Sequence, residues 1–176
     1  MKCEYCEIVA GKKKAEIVYQ DDDIVAFVQE DAITPGQITV IPKEHLTILE
    51  MLPVKTLQKL TSIANKLGMA LFDSLGCQGT NILVENGLGA GQKVPHFSMH
   101  IVPRNENDGL NLQWQPQQVP EDELQEAFIQ IQSNSEGLVV TDKEEPKEVV
   151  VESEKTEAVL EDDGENYLLK SIRRKP

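Results

Sequence analysis

Long apolar runs are missing from this 176-residue chain. No stretch reaches the roughly 18 apolar residues needed to cross a bilayer, so the sequence predicts no membrane span. The opening MKCEYCEIVAGKKK lacks the apolar centre of a signal peptide, which points to a cytoplasmic protein. Cysteine is scarce, and three residues in a chain read as intracellular do not make a disulfide framework. Basic residues are outnumbered, 17 against 30 acidic, for a net charge of −13. Such a chain repels polyphosphate, which argues against bulk binding to nucleic acid. Histidine is also scarce, with three residues, yet two of them stand in one short segment.

That segment is VPHFSMHIVPR, residues 94–104. Read as a β-strand, it puts His96, Ser98 and His100 on one face, about 7 Å between neighbours. Phe97, Met99 and Ile101 take the other face, which reads as core.

The rest of the chain ahead of the acidic linker reads as mixed α and β. AEIVYQDDDIVAFVQ predicts strands Ile17–Tyr19 and Ile24–Val28 around an aspartate turn, and GQITVIP predicts a third. Leu57, Leu60, Ile63, Leu67, Leu71 and Leu75 recur every three or four residues, the spacing of a long helix, with Pro53 near its start. A strand Asn81–Glu85, the glycine-rich loop NGLGAGQ and the His96 strand follow. EDELQEAFIQIQ predicts a second amphipathic helix, Glu121–Gln132. Strands without βαβ alternation indicate an α+β domain: an antiparallel sheet of about five strands, one long helix and a C-terminal helix.

The expected organisation is a domain over 1–115, a helical extension over 116–133, an acidic linker over 134–165 and a basic amphipathic segment over 166–176. Residues 142–165 hold eleven Asp/Glu, three Lys and no aromatic residue, a composition that buries too little to offset its ordering entropy. Beyond it, Tyr167, Leu168, Leu169 and Ile172 fall to one side of a short helix among Lys170, Arg173, Arg174 and Lys175. That segment reads either as a frayed tail or as a docking segment, onto its own domain or onto a protein partner.

Cys3-Glu-Tyr-Cys6 is a CxxC pair. It can form one edge of a tetrahedral zinc site, a redox pair, or two incidental cysteines. Cys77 reads as a small buried residue. In Asn86–Gln92 the three glycines let backbone N–H groups approach a phosphate, or simply make a hairpin loop.

Taken together, CEYCEIVAG, IVYQDDDIVAFV, TPGQITVIPKEH, GTNILVENGLGAGQKVPHFSMHIVPR and DGLNLQW resemble the histidine triad (HIT) family of nucleotide-binding hydrolases and transferases. The resemblance implies an antiparallel sheet with helices, dimerising into one continuous two-subunit sheet, and a purine nucleotide as ligand. It also implies a family strand of the form His-x-His-x-His whose middle histidine attacks the nucleotide α-phosphate. Here that position is Ser98, with His100 beside it as a candidate base. Serine is a poor nucleophile at its free pKa, and its phosphate ester is far more inert than a phosphohistidine. Gln29 stands where the family usually has a ribose-binding aspartate, and Gln37 where it usually has a histidine. Asn86, Gln92 and His100 match positions that contact phosphate, and Gly91 is a further nucleotide-binding candidate in the same loop. Some microbial members hold a structural zinc, and the matching positions are Cys3, Cys6, His45 and His96. The expectation is therefore a nucleotide-binding protein with a degenerate triad and weak or no hydrolase activity. The alternatives are a working nucleotidyl hydrolase or transferase and a purely structural interaction module.

Overall fold

Three aspartates in a row make the first turn between strands. The Asp21 carboxylate accepts the N–H groups of Asp23 at 2.8 Å and Ile24 at 2.9 Å, an Asx turn that reverses the chain. The structure, a computed structural model, describes residues 3–111 and 115–135. In chain order these form helix α1 (Glu4–Val9), strands β1 (Glu16–Gln20), β2 (Ile24–Val28) and β3 (Ile38–Pro42), helix α2 (Val54–Leu75), strands β4 (Gly79–Leu83) and β5 (Met99–Arg104), and helix α3 (Glu121–Ser135). Short 3₁₀ turns lie at Leu49–Met51 and Leu88–Ala90. The strands make one antiparallel sheet in the order β1-β2-β3-β5-β4, so the α+β expectation holds.

Strand β2 is apolar along its length because the sheet is covered on both faces. Ile24 and Ala26 join Ile38, Val40, Met99 and Ile101 against Leu60, Ile63, Ala64 and Leu71 of α2. Val25 and Phe27 alternate to the opposite face and pack with Ile41 against Cys3, Tyr5 and Ile8 of α1 and its cap. Leu60 is fully buried, and Leu60→Ala would cost about 2–5 kcal/mol. Lys59 ties α2 to the first turn through an ion pair with Asp21 at 3.0 Å. Gly36, at φ +86°, lies so close to α2 that a Cβ would meet Leu75 Cδ1 at 2.4 Å, and this approach sets the entry into Gln37 and β3. Cys77 is buried in the α2-side core, as expected.

The structure corrects four boundaries, the first being β1, which takes in Glu16 and Gln20 on either side of the expected Ile17–Tyr19. The expected strand through His96 begins only at Met99. Ahead of it Pro42 has no N–H to offer a ladder, its carbonyl is taken by the His96 ring, and the Phe97 N–H goes to Leu46 at 2.6 Å instead. Phe97 still packs on the α2 side and His96 lies against Tyr5 on the other, so the expected alternation survives outside the ladder. Strand β4 runs over Gly79–Leu83 rather than 81–85, because Gly79 and Thr80 pair with Arg104 and Pro103. Helix α3 continues to Ser135, taking in Asn134 and Ser135 that the sequence assigned to a linker.

The chain divides into two units, Met1–Trp114 and Gln115–Pro176. Within the second, α3 exposes Leu124, Phe128, Ile129 and Ile131. The remainder of the expected acidic linker and the basic segment 166–176 lie outside the described residues.

Candidate functional site

Two clusters of polar side chains gather on the α1 side of the sheet. In the first, Cys3 caps α1 and Cys6 lies one turn on, so both thiols share a face. His45 follows β3 and His96 precedes β5. One donor atom from each of Cys3, Cys6, His45 and His96 lies within 4.8 Å of all the others. Cys3 Sγ stands 3.5 Å from His96 Nδ1, Cys6 Sγ 3.6 Å from the same atom, and Cys6 Sγ 3.2 Å from His45 Nδ1. A tetrahedral zinc with bonds of about 2.0–2.3 Å holds its ligand atoms about 3.3–3.8 Å apart. The donor set and these spacings fit such an ion.

The His96 tautomer fits as well. Its Nε2 lies 2.9 Å from the Pro42 carbonyl, which can only accept, so Nε2 carries the proton. The Nδ1 lone pair then faces the two thiols, the arrangement a metal-bound histidine adopts. Burial, with His45 nearby, pushes the His96 pKa down despite the Pro42 bond, keeping the ring neutral. Burial also pushes the Cys6 thiol up.

The second cluster lines a cleft of about 220 Å³ that includes Tyr5, Gln29, Gln37, Gln92, Ser98 and His100. Thr39 lies beneath it, fully buried. Its hydroxyl donates to Gln29 Oε1 at 2.8 Å, leaving its oxygen to accept from His100 Nδ1 at 3.0 Å. His100 Nε2 is then unprotonated and accepts the Ser98 hydroxyl at 3.0 Å. Ser98, His100, Thr39 and Gln29 thus form one chain of hydrogen bonds whose members are all neutral. Gln37 anchors its Oε1 on the Ile33 N–H at 2.7 Å and turns its amide nitrogen to His100 at 3.5 Å. Burial lowers the His100 pKa, opposed in part by Glu85.

An adjoining cleft of about 320 Å³ is lined by Ile8, Ala15, Phe27 and Val28 with Lys13, Lys14, Glu16 and Glu30; Glu4 and Gln29 border both clefts. The apolar floor and polar rim suit a flat ring.

The loop residues named from the sequence are arranged differently. Asn86 is engaged outside the cleft: its Oδ1 accepts from Leu49 N–H at 2.9 Å and its Nδ2 donates to the Glu50 carboxylate at 2.9 and 3.0 Å. Gln92 borders the cleft, yet its amide pins the loop, accepting from Gly87 N–H at 2.9 Å and donating to the Thr47 carbonyl at 2.8 Å. Gly91 ends the second 3₁₀ turn at φ +93°, where a side chain would be strained.

Two residues at the site escaped the sequence reading. Tyr5, buried between the cysteines, packs edge-on against Phe27 and His96 with ring centroids 5.7 and 5.9 Å away. Its hydroxyl lies beside Ser98, and burial, with Glu4 adding, pushes its pKa up to about 12. Thr39 was hidden because threonine is a common strand residue. Its signal was a polar side chain inside the apolar run ITVIP.

A model of the HIT domain matches residues 10–107. A HIT-like protein of Methanocaldococcus jannaschii is 35% identical over 61% of this chain and 82% of its own. Adenylylsulfatase HINT3 of Arabidopsis thaliana is 32% identical over 61% of this chain and 55% of its own length. Among solved structures, a zinc-bound histidine triad family protein from Mycobacterium smegmatis superposes with TM-score 0.61 at 29% identity, over 76% of this chain and 98% of that one.

Proposed function

Because the chain belongs to the HIT domain family, we propose that it binds a purine nucleotide and turns it over weakly or not at all. The observation that carries this reading is the neutral hydrogen-bonded chain from Ser98 to Gln29. In a Ser-His-Asp triad the base is itself backed by a carboxylate, which orients the imidazole and stabilises the imidazolium that forms. Here His100 is backed by Thr39 and Gln29, which carry no charge. Its burial works further against taking up the Ser98 proton. Ser98 therefore stays a hydroxyl and serves as a ligand contact rather than a nucleophile.

In this reading the nucleotide phosphate enters the polar cleft with Ser98 and His100. The purine lies on Phe27 and Ile8 in the apolar one. Gln29, bordering both clefts, meets the ribose. Asn86, Gly91 and Gln92 act by shaping the loop over the phosphate. A structural zinc is held by the Cys3 and Cys6 thiolates and by the Nδ1 atoms of His45 and His96. When bound it contributes folding free energy and no chemistry at the phosphate. A protein in this family from Mycobacterium smegmatis binds zinc, which supports the assignment.

The reading includes a homodimer joined through the β4 edge. There the sheet ends, Ile82 is 49% exposed, and Met69 of α2 is 61% exposed. It also includes a cytoplasmic location, residues 1–115 as the HIT domain, and a C-terminal segment that docks a protein partner. No described helix is long and apolar enough to cross a membrane.

A second reading rests on the Ser98 hydroxyl pointing at His100 Nε2 from 3.0 Å, which is the geometry of a nucleophile and its base. Release of adenosine monophosphate from adenosine phosphoramidate and adenylyl sulfate separates the two. The binding reading expects near-zero turnover, equal in wild type and Ser98→Ala. Turnover abolished by Ser98→Ala would establish the hydrolase.

A further inference from the structure

We infer that Tyr5 is a phosphate-binding residue of the polar cleft, set in place by the flanking cysteines. This rests on the nucleotide-binding reading and names a contact within it.

The cleft needs a donor. Glu4, Asp31 and Glu85 line it against Lys93, so its net charge does not attract an anion. A phosphate there depends on hydrogen bonds from neutral groups. Several of the neutral donors are committed. The Ser98 proton faces His100, the Thr39 proton goes to Gln29, and the Gln92 amide protons go to the Thr47 and Val94 carbonyls. The Tyr5 hydroxyl lies beside Ser98 at the cleft wall. A ring that only filled space between Phe27 and His96 would serve as well without its hydroxyl, which instead meets Ser98, itself part of the cleft wall.

Its aim is fixed from both sides. Cys3 and Cys6 bracket Tyr5 on a helix of six residues, and the edge contacts with Phe27 and His96 leave the ring little freedom. Loading the Cys/His cluster holds this short helix, and with it the phenol, in register with the cleft. The metal cluster and the phosphate contact are thereby coupled through one residue.

Calorimetric titration of zinc-loaded protein with adenosine 5′-monophosphate and with adenosine tests this. Wild type should prefer the monophosphate, and Tyr5→Phe should lose about ten-fold in monophosphate affinity while adenosine affinity is unchanged. Unchanged adenosine binding also reports that the variant is folded. A Tyr5→Phe protein that keeps the full preference for the monophosphate overturns the inference and leaves the binding reading intact. Wild type that binds neither ligand sinks both.

Discussion

Thr39 and His100 stand opposite each other in the β3–β5 ladder, and the threonine oxygen lies 3.0 Å from His100 Nδ1. A cross-strand pair thus sets the tautomer of the histidine that faces Ser98. Thr39→Val keeps the shape and removes the acceptor. It should cost about 1–3 kcal/mol, because the buried Nδ1–H loses its partner. Urea denaturation measures the cost, and ¹⁵N shifts of the His100 ring should show the Nδ1–H tautomer in wild type and a mixture in the variant. An unchanged midpoint and spectrum would make Thr39 a passive filler.

The Cys/His cluster predicts about one zinc per chain in protein prepared without chelators. Cys6→Ser should lower the melting temperature, because binding free energy at such a site is folding free energy. Wild type treated with a strong chelator should melt near the variant. Metal analysis that finds no zinc would end the assignment.

Much of this architecture was legible in the sequence where one strong local signal ruled. Strand β2 was read to the residue, since IVAFV is bounded by an Asx turn and buried on both faces. Helix α2 announced itself by periodicity. Strand β4 was misplaced by two residues because tertiary pairing recruits Gly79, a residue that disfavours strands, and with it Thr80. The site was legible as residue types but not as commitments. Nothing in NGLGAGQ says that Asn86 turns to Leu49 and Glu50, and nothing in CEYC says that its tyrosine reaches Ser98.

Asp21 gives a pH signature to stability. Burial alone would raise its carboxyl, but hydrogen bonds from Tyr19, the Asp23 N–H, Lys59 and the Ile24 N–H outweigh it and hold the group well below the usual carboxylate range. A folded pKa below the unfolded one contributes stability above about pH 4, lost as pH falls toward the folded value. Asp21→Asn should therefore cost on the order of 1–2 kcal/mol at pH 7 and progressively less in acid. A pH-independent difference would assign the effect to turn geometry instead.

The β4 edge carries the dimer expectation. Ile82 and Val84 are exposed there, and α2 passes close enough for Gly68 to approach Thr80. A charged side chain on an edge strand opposes strand pairing. Ile82→Lys should convert a dimer to a monomer in sedimentation velocity while leaving the circular dichroism unchanged. A wild type that sediments as a monomer at micromolar concentration would refute the interface.

Ser98→Ala and Ser98→His probe the centre of the row from opposite sides. Restoring histidine supplies a better nucleophile, but not the surroundings it needs. Gln29 and Gln37 carry no charge and shuttle no proton, and Thr39 backs His100 with a neutral oxygen. Ser98 is also nearly buried, at 8% exposure, with the Tyr5 hydroxyl beside it, so the larger imidazole has to displace packed atoms. Ser98→His should therefore gain little or no phosphoramidase activity and lose stability, by about 1–3 kcal/mol. Adding Gln29→Asp and Gln37→His should raise turnover further than Ser98→His alone. A large gain from the single substitution would mean that the pocket around residue 98 is still built for catalysis, and that the neutral chain beneath it is no obstacle.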